Sequence, residues 1–219
     1  MTLITKKNNF FYLTFSLIAL LIAPSLAQAL PEGLLDYLLQ FFIIVVFLVC
    51  LVSLKIDQNW YRFLLVISAC MVATILTHNF LNLTATNTIM MTLVLIFFSG
   101  TFQSTARQVL FTGTIDGNKI IGSVALFLLL GLIWAMAYLL IIEFSPHAIK
   151  GIEPAPWGDN LSTAAYFSFV TLTTLGYGDI SPVSALAQVI VYLEAITGVF
   201  YMAIVVSSLV NARQSTLNQ

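Results

Sequence analysis

Six apolar stretches, at about 10–29, 35–54, 61–81, 87–105, 120–143 and 184–210, dominate this 219-residue chain. Each is close to the ~20 residues that a helix needs to cross a lipid bilayer. Backbone in hydrocarbon must satisfy its own hydrogen bonds, which restricts spanning forms to helices and closed barrels. Only 8% of the residues are charged, against about 25% in soluble domains. So few charges cannot keep a surface in water, and lipid is the expected solvent. A seventh apolar segment, at about 160–173, is too short to cross. It has to enter the membrane and turn back. Irregular backbone at that depth is tolerated only where protein buries it or a water path lines it. The expected fold is an all-α membrane protein with six transmembrane helices and a re-entrant helix between the last two.

The basic residues set an orientation. With the N-terminus in the cytoplasm, Lys6, Lys7, Lys55, Arg62, Arg107, Lys119 and Arg213 fall inside and only Lys150 falls outside. That is a positive-inside bias. It predicts a multi-pass protein of the cell inner or plasma membrane, with both termini cytoplasmic and the 144–159 loop outside. The first segment also fits a second reading. Lys6 and Lys7, the apolar run from Phe10 to Ala23, Pro24, and Ala27-Gln28-Ala29 match a secretory signal peptide. Cleavage after Ala29 would leave five helices and an external N-terminus, with the downstream topology unchanged.

A glycine-bearing run, Thr171-Leu172-Thr173-Thr174-Leu175-Gly176-Tyr177-Gly178-Asp179, joins the short segment to the last helix. Glycine reaches left-handed backbone without steric cost. Placed at alternate positions, Gly176 and Gly178 let successive peptide carbonyls aim one way. Such a row can replace the hydration oxygens of a cation, and Thr174 adds a hydroxyl at the inner end. The run resembles the selectivity filter of the potassium-channel superfamily, which carries Val where this chain has Leu175. The resemblance covers about 120–210 in motif detail, and upstream it is one of layout only. It implies K⁺ coordination by Thr174, Leu175, Gly176, Tyr177 and Gly178, and passive K⁺-selective conduction. It also implies a homotetramer, because one loop supplies one quarter of each carbonyl ring. K⁺ is the transported ion, and no cofactor is implied. The chain then divides into 1–30 (first helix or signal peptide), 31–118 (peripheral membrane helices) and 119–219 (pore domain: outer helix, pore helix, filter, inner helix). Other readings are a non-selective cation channel and a K⁺ transporter subunit, although such transporters repeat the loop and this chain has one copy. A scaffold or receptor without conduction would have no need of the whole Thr174–Asp179 run.

Further residues gain expected roles from this frame. Asp159, Asn160 or Ser162 would cap the pore helix, whose C-terminal dipole favours a cation at mid-membrane. Phe167, with Tyr166 and Phe169, would pack to hold the filter, and Tyr177 and Asp179 are available to brace it. Many relatives of this type place a glutamate four residues before the filter threonine; Val170 stands there. Gly198 follows Asp179 by 19 residues. In the resembled family that spacing marks a gating hinge; the alternative is that Gly198 lets another helix pack closely. Glu194 sits inside the last apolar run, where a charge costs ~2.5–3.5 kcal/mol. It should be held by Ser168 or Thr171, or else form a ring of carboxylates near the cavity. A voltage-sensing helix needs regularly spaced arginines, yet 87–105 has no Lys or Arg. That departure points to the non-voltage-gated bacterial single-pore-loop type. The 144–159 loop reads as solvated, and Asn82 and Asn160 fit glycosylation sequons.

Other classes find little support. Cys50 and Cys70 lie in apolar runs and read as packing residues rather than a disulfide. His78 and His147 stand alone, and no serine lies in a nucleophile elbow, so no enzyme is indicated. No basic cluster offers a surface to nucleic acid. Short tails leave no room for a regulatory domain, so regulation would fall to an unidentified partner.

Overall fold

The computed structural model describes residues 8–27, 58–81, 85–111 and 117–207, with Val45 and Val49. The apolar stretch expected at 35–54, Cys50, Asn82 and the inner end of the last stretch lie outside the described residues. The helices are α1 (Asn9–Ala27), α2 (Gln58–Leu81), α3 (Ala85–Leu110), α4 (Gly117–Phe144), α5 (Trp157–Leu172) and α6 (Ala185–Phe200). The last continues as a π-helical turn, Tyr201–Val206. Among the described residues, three helical runs are long and apolar enough to cross a membrane: Thr86–Leu110, Gly117–Phe144 and Ala185–Ala203. α1 and α2 carry shorter apolar runs, Asn9–Pro24 and Arg62–Thr74.

α4 is the hub, packed against α1, α3 and α5. It runs antiparallel to α3, since Thr88 Oγ1 at the start of α3 donates to Glu143 Oε1 at the end of α4 (3.4 Å). It runs parallel to α1: Asn118 Nδ2 donates to Asn9 Oδ1 (2.8 Å), and Thr14 Oγ1 to the Ile121 carbonyl (3.2 Å). The buried residues recur with helical spacing. Leu13, Leu17 and Leu20 line one stripe of α1; Met91, Val94 and Phe98 line one of α3. Each stripe faces α4, whose Leu126, Leu129, Leu132, Ala135 and Met136 are sealed from solvent. Apolar residues three and four apart share a helix face, which is why these stripes form.

Two sequence expectations are corrected in the outer part. α5 starts at Trp157 with Pro156 at its cap position and no side-chain cap bond. Asp159, Asn160 and Ser162 therefore fall within its first turns. The Asn160 amide turns back to the carbonyls of Glu153 (2.8 Å) and Ala155 (3.5 Å). It is buried there, so this sequon is not open to a glycan. The 144–159 loop is not simply solvated. Ile149–Lys150 (β1) pairs antiparallel with Ser181–Pro182 (β2), Ile149 opposite Pro182 and Lys150 opposite Ser181. The Ala148 carbonyl accepts the amides of Val183 (2.8 Å) and Ser184 (3.1 Å). Ala148, Ile149 and Ile152 are buried in a second apolar cluster with Tyr138, Phe167, Ile180 and Ala187. Backbone pairing allows those apolar side chains to leave water. Ser184 then caps α6, its Oγ accepting the Ala187 amide (3.2 Å).

Candidate functional site

α5 ends at Leu172, and the chain turns back over its last carbonyls. The Thr174 amide donates to Thr171 O (2.9 Å), and the amides of Leu175 and Gly176 both reach Val170 O (2.9 and 3.3 Å). Helix ends leave such carbonyls without intrahelical partners, and the following strand satisfies them. That strand is bent in an unusual way. Thr174, Gly176 and Gly178 have φ of 59°, 57° and 81°. Thr174 is the only non-glycine with positive φ among the described residues, so Leu175 and Tyr177 lie on the ordinary side. Regular extended backbone sends successive carbonyls to opposite sides. Alternating left- and right-handed residues turns them the same way. Among the described residues, the carbonyls of 174–178 accept no hydrogen bond. A β-branched residue at positive φ is a genuine outlier; such strain costs ~1–3 kcal/mol and gathers at functional sites. The side chains of Leu175 and Tyr177 are exposed.

The outer end of this strand is anchored by Asp179, whose Oδ2 accepts the Tyr166 hydroxyl (2.7 Å). That bond first, then the backbone amides of Ile180 and Asp179, hold the carboxyl below the usual aspartate range. Tyr166 thus ties α5 to the residue directly after the strand.

Behind the strand, α4, α5 and α6 meet. Phe167 of α5 is buried and packs on Tyr138 of α4, ring centroids 4.8 Å apart. The Tyr138 hydroxyl donates to Glu194 Oε2, and Ser168 Oγ lies 2.5 Å from Glu194 Oε1. Ser168 Oγ also lies 2.8 Å from the Gly131 carbonyl in the middle of α4. Glu194 is completely buried. One helical turn on, Gly198 touches the end of α5: a Cβ there would sit 2.0 Å from the Leu172 carbonyl oxygen. Close approach to α5 is therefore what the geometry displays at Gly198.

The structure brings Phe167, Glu194 and Gly198 together behind the strand and puts Asp179 at its outer end. Val170 carries no carboxyl, but its carbonyl takes two amides of the strand, and a carboxyl arrives from α6 instead. Sequence reasoning missed Tyr138. Its signal is a phenol inside an apolar run, since a buried tyrosine usually finds a hydrogen-bond partner. It also missed the β1–β2 pairing, for which two-residue strands leave no periodicity to detect.

No curated protein and no solved structure matches the chain. Residues 125–214 match a family described as "Ion channel", a segment that opens in α4 and takes in α5, the bent strand and α6. That likeness covers the 125–214 segment, less than half of the chain, and with the membrane-length helices it supports a potassium-channel-like ion-channel segment.

Proposed function

We propose that the chain conducts K⁺ selectively and passively across a membrane, as a homotetramer, with Thr174–Gly178 as the filter. The observation that carries this reading is the alternating backbone at Thr174, Gly176 and Gly178, with five successive carbonyls that accept no hydrogen bond among the described residues. Backbone carbonyls are what replace the hydration shell of K⁺ in a filter. α5 then acts as the pore helix, its C-terminal end giving partial negative charge near the inner end of the filter. α4 is the outer helix and α6 the inner one. One chain offers one strand, so a closed ring needs four. Support for assembly comes from α6, where Leu186, Leu193 and Ile196 are exposed in the single chain while only Ala187, Glu194 and Gly198 are buried.

The test is bi-ionic recording from purified protein in planar bilayers, with native mass measurement of the same preparation. A reversal potential set by K⁺ and a mass of four chains are expected. Equal permeability to K⁺ and Na⁺ would make it a non-selective cation channel. Flux at transporter rates without unitary currents would make it a transporter subunit, and a dimer would overturn the ring.

A further inference from the structure

The three side chains behind the filter set a problem of hydrogens. The Gly131 carbonyl can only accept, so its 2.8 Å contact with Ser168 Oγ uses the single Ser168 hydrogen. The 2.5 Å contact between Ser168 Oγ and Glu194 Oε1 then has no hydrogen left from Ser168. On the far side, Tyr138 supplies its own hydrogen to Glu194 Oε2. Three contacts need three hydrogens, and two hydroxyls provide two. A carboxylate would leave one contact as lone pair against lone pair. A carboxylic acid completes the chain: Tyr138 O–H to Glu194 Oε2, Glu194 O–H to Ser168 Oγ, Ser168 O–H to Gly131 O.

The surroundings agree. Glu194 is fully buried, and an unpaired buried charge is costly. Its hydrogen-bond partners are Tyr138 from α4 and Ser168 from α5, and Ser168 in turn meets the Gly131 carbonyl of α4. Tyr138 is the only other titratable one, and among the described residues no Lys, Arg or His forms an ion pair with Glu194.

We propose that Glu194 carries a proton and forms a neutral latch joining α4, α5 and α6 behind the filter, with Tyr138 and Ser168 as its positioning residues. Without that proton the Glu194-to-Ser168 bond is lost, and a charge stands where no cation among the described residues pairs with it. The latch lies one turn from the Gly198–Leu172 contact, so its release frees the end of α5 that leads into the filter. The effect on conduction rests on the reading of Thr174–Gly178 as a filter; the protonation state does not.

The experiment is infrared difference spectroscopy of the full chain in lipid, wild type against Glu194→Gln, at neutral and alkaline pH. A protonated-carboxyl C=O band that vanishes in Glu194→Gln, shifts in Ser168→Ala and Tyr138→Phe, and disappears reversibly on alkalinisation is expected. Absence of a Glu194-dependent band at neutral pH overturns the proposal. Thermal stability is the second readout. Glutamine reproduces one donor and one acceptor, so Glu194→Gln should unfold close to wild type and Glu194→Ala well below it. Equal losses in both variants overturn the latch. A chain with the band but without K⁺ current would refute the proposed function and leave the latch standing.

Discussion

Replacing Gly198 with alanine separates two accounts of the inner helix. The new methyl would stand 2.0 Å from the Leu172 carbonyl oxygen, 2.9 Å from its carbon and 3.1 Å from its Cα. Carbon–oxygen contacts settle near ~3.3–3.6 Å even when attractive, so the overlap with the oxygen exceeds ~1 Å. The obstacle is backbone in the last turn of α5. No side chain can rotate away; α5 or α6 has to shift. Overpacking of this kind costs ~1–3 kcal/mol, occasionally more. Alanine returns ~1 kcal/mol of helix propensity over glycine. A net loss of up to ~2 kcal/mol per chain, occasionally more, is expected, and the shift displaces the end of α5 where the bent strand begins. Gly117→Ala is the control, because nothing lies within 4 Å of its added Cβ. Thermal unfolding of purified protein and single-channel recording of both variants form the assay. Close packing predicts lower stability and altered unitary conductance for Gly198→Ala. A pure hinge predicts a stiffer α6, unchanged or higher stability, and a change in open probability alone. That second pattern would refute the packing argument.

Gly176→Ala places a side chain at φ 57°, and left-handed backbone costs an L-residue ~1–2 kcal/mol; bi-ionic recordings should reveal lost K⁺ preference, and an unaltered reversal potential would count against the filter. Asp179 has a depressed carboxyl, so its bond to Tyr166 stabilises the outer end above the ordinary aspartate value of 3.8 and is lost only as pH falls through the lower folded value. Tyr166→Phe should therefore move the acid-induced loss of conductance to higher pH, and identical acid titrations would show that the bond does not hold the mouth. Opening should depend little on voltage, because Arg107 in its last turn is the only basic residue of α3, and each charge crossing the field is worth ~2.3 kcal/mol per 100 mV. A steep conductance–voltage curve, worth several gating charges per chain, would contradict this.

What the sequence reveals here depends on whether a requirement is local. Glycine at alternate positions is local, so the bend at Gly176 and Gly178 can be read from the run itself. The third left-handed residue cannot, because threonine resists that conformation; the carbonyls of Val170 and Thr171, anchoring the amides around it, hold it there. Caps fail for a related reason. A start only a few residues from expectation turns Asp159, Asn160 and Ser162 from caps into first-turn residues. Hydropathy places the helices, but it cannot say that residues on either side of α5 pair as β1 and β2, since that contact joins positions far apart in sequence. Glu194 announces itself by its charge, and Ser168 by its level on the neighbouring helix. Tyr138 lies 56 residues from Glu194 and gives no local sign of the pairing.

α6 shows why apolarity is a poor guide inside such a chain. Nearly all of its residues are apolar, yet the buried ones are Ala187, Glu194 and Gly198. Seven residues and then four separate them, so they fall on one face. Leu186, Leu193 and Ile196, which a soluble protein would bury first, stay exposed. Lipid removes the reward for burying leucine against leucine, and association then rests on close backbone approach and interhelical hydrogen bonds. Ala187 and Gly198 permit the approach, and Glu194 supplies the bonds. The face of α6 that seats α5, and with it the bent strand, is thus written in its small and polar residues, while its apolar majority stays outside the packed interior of the single chain.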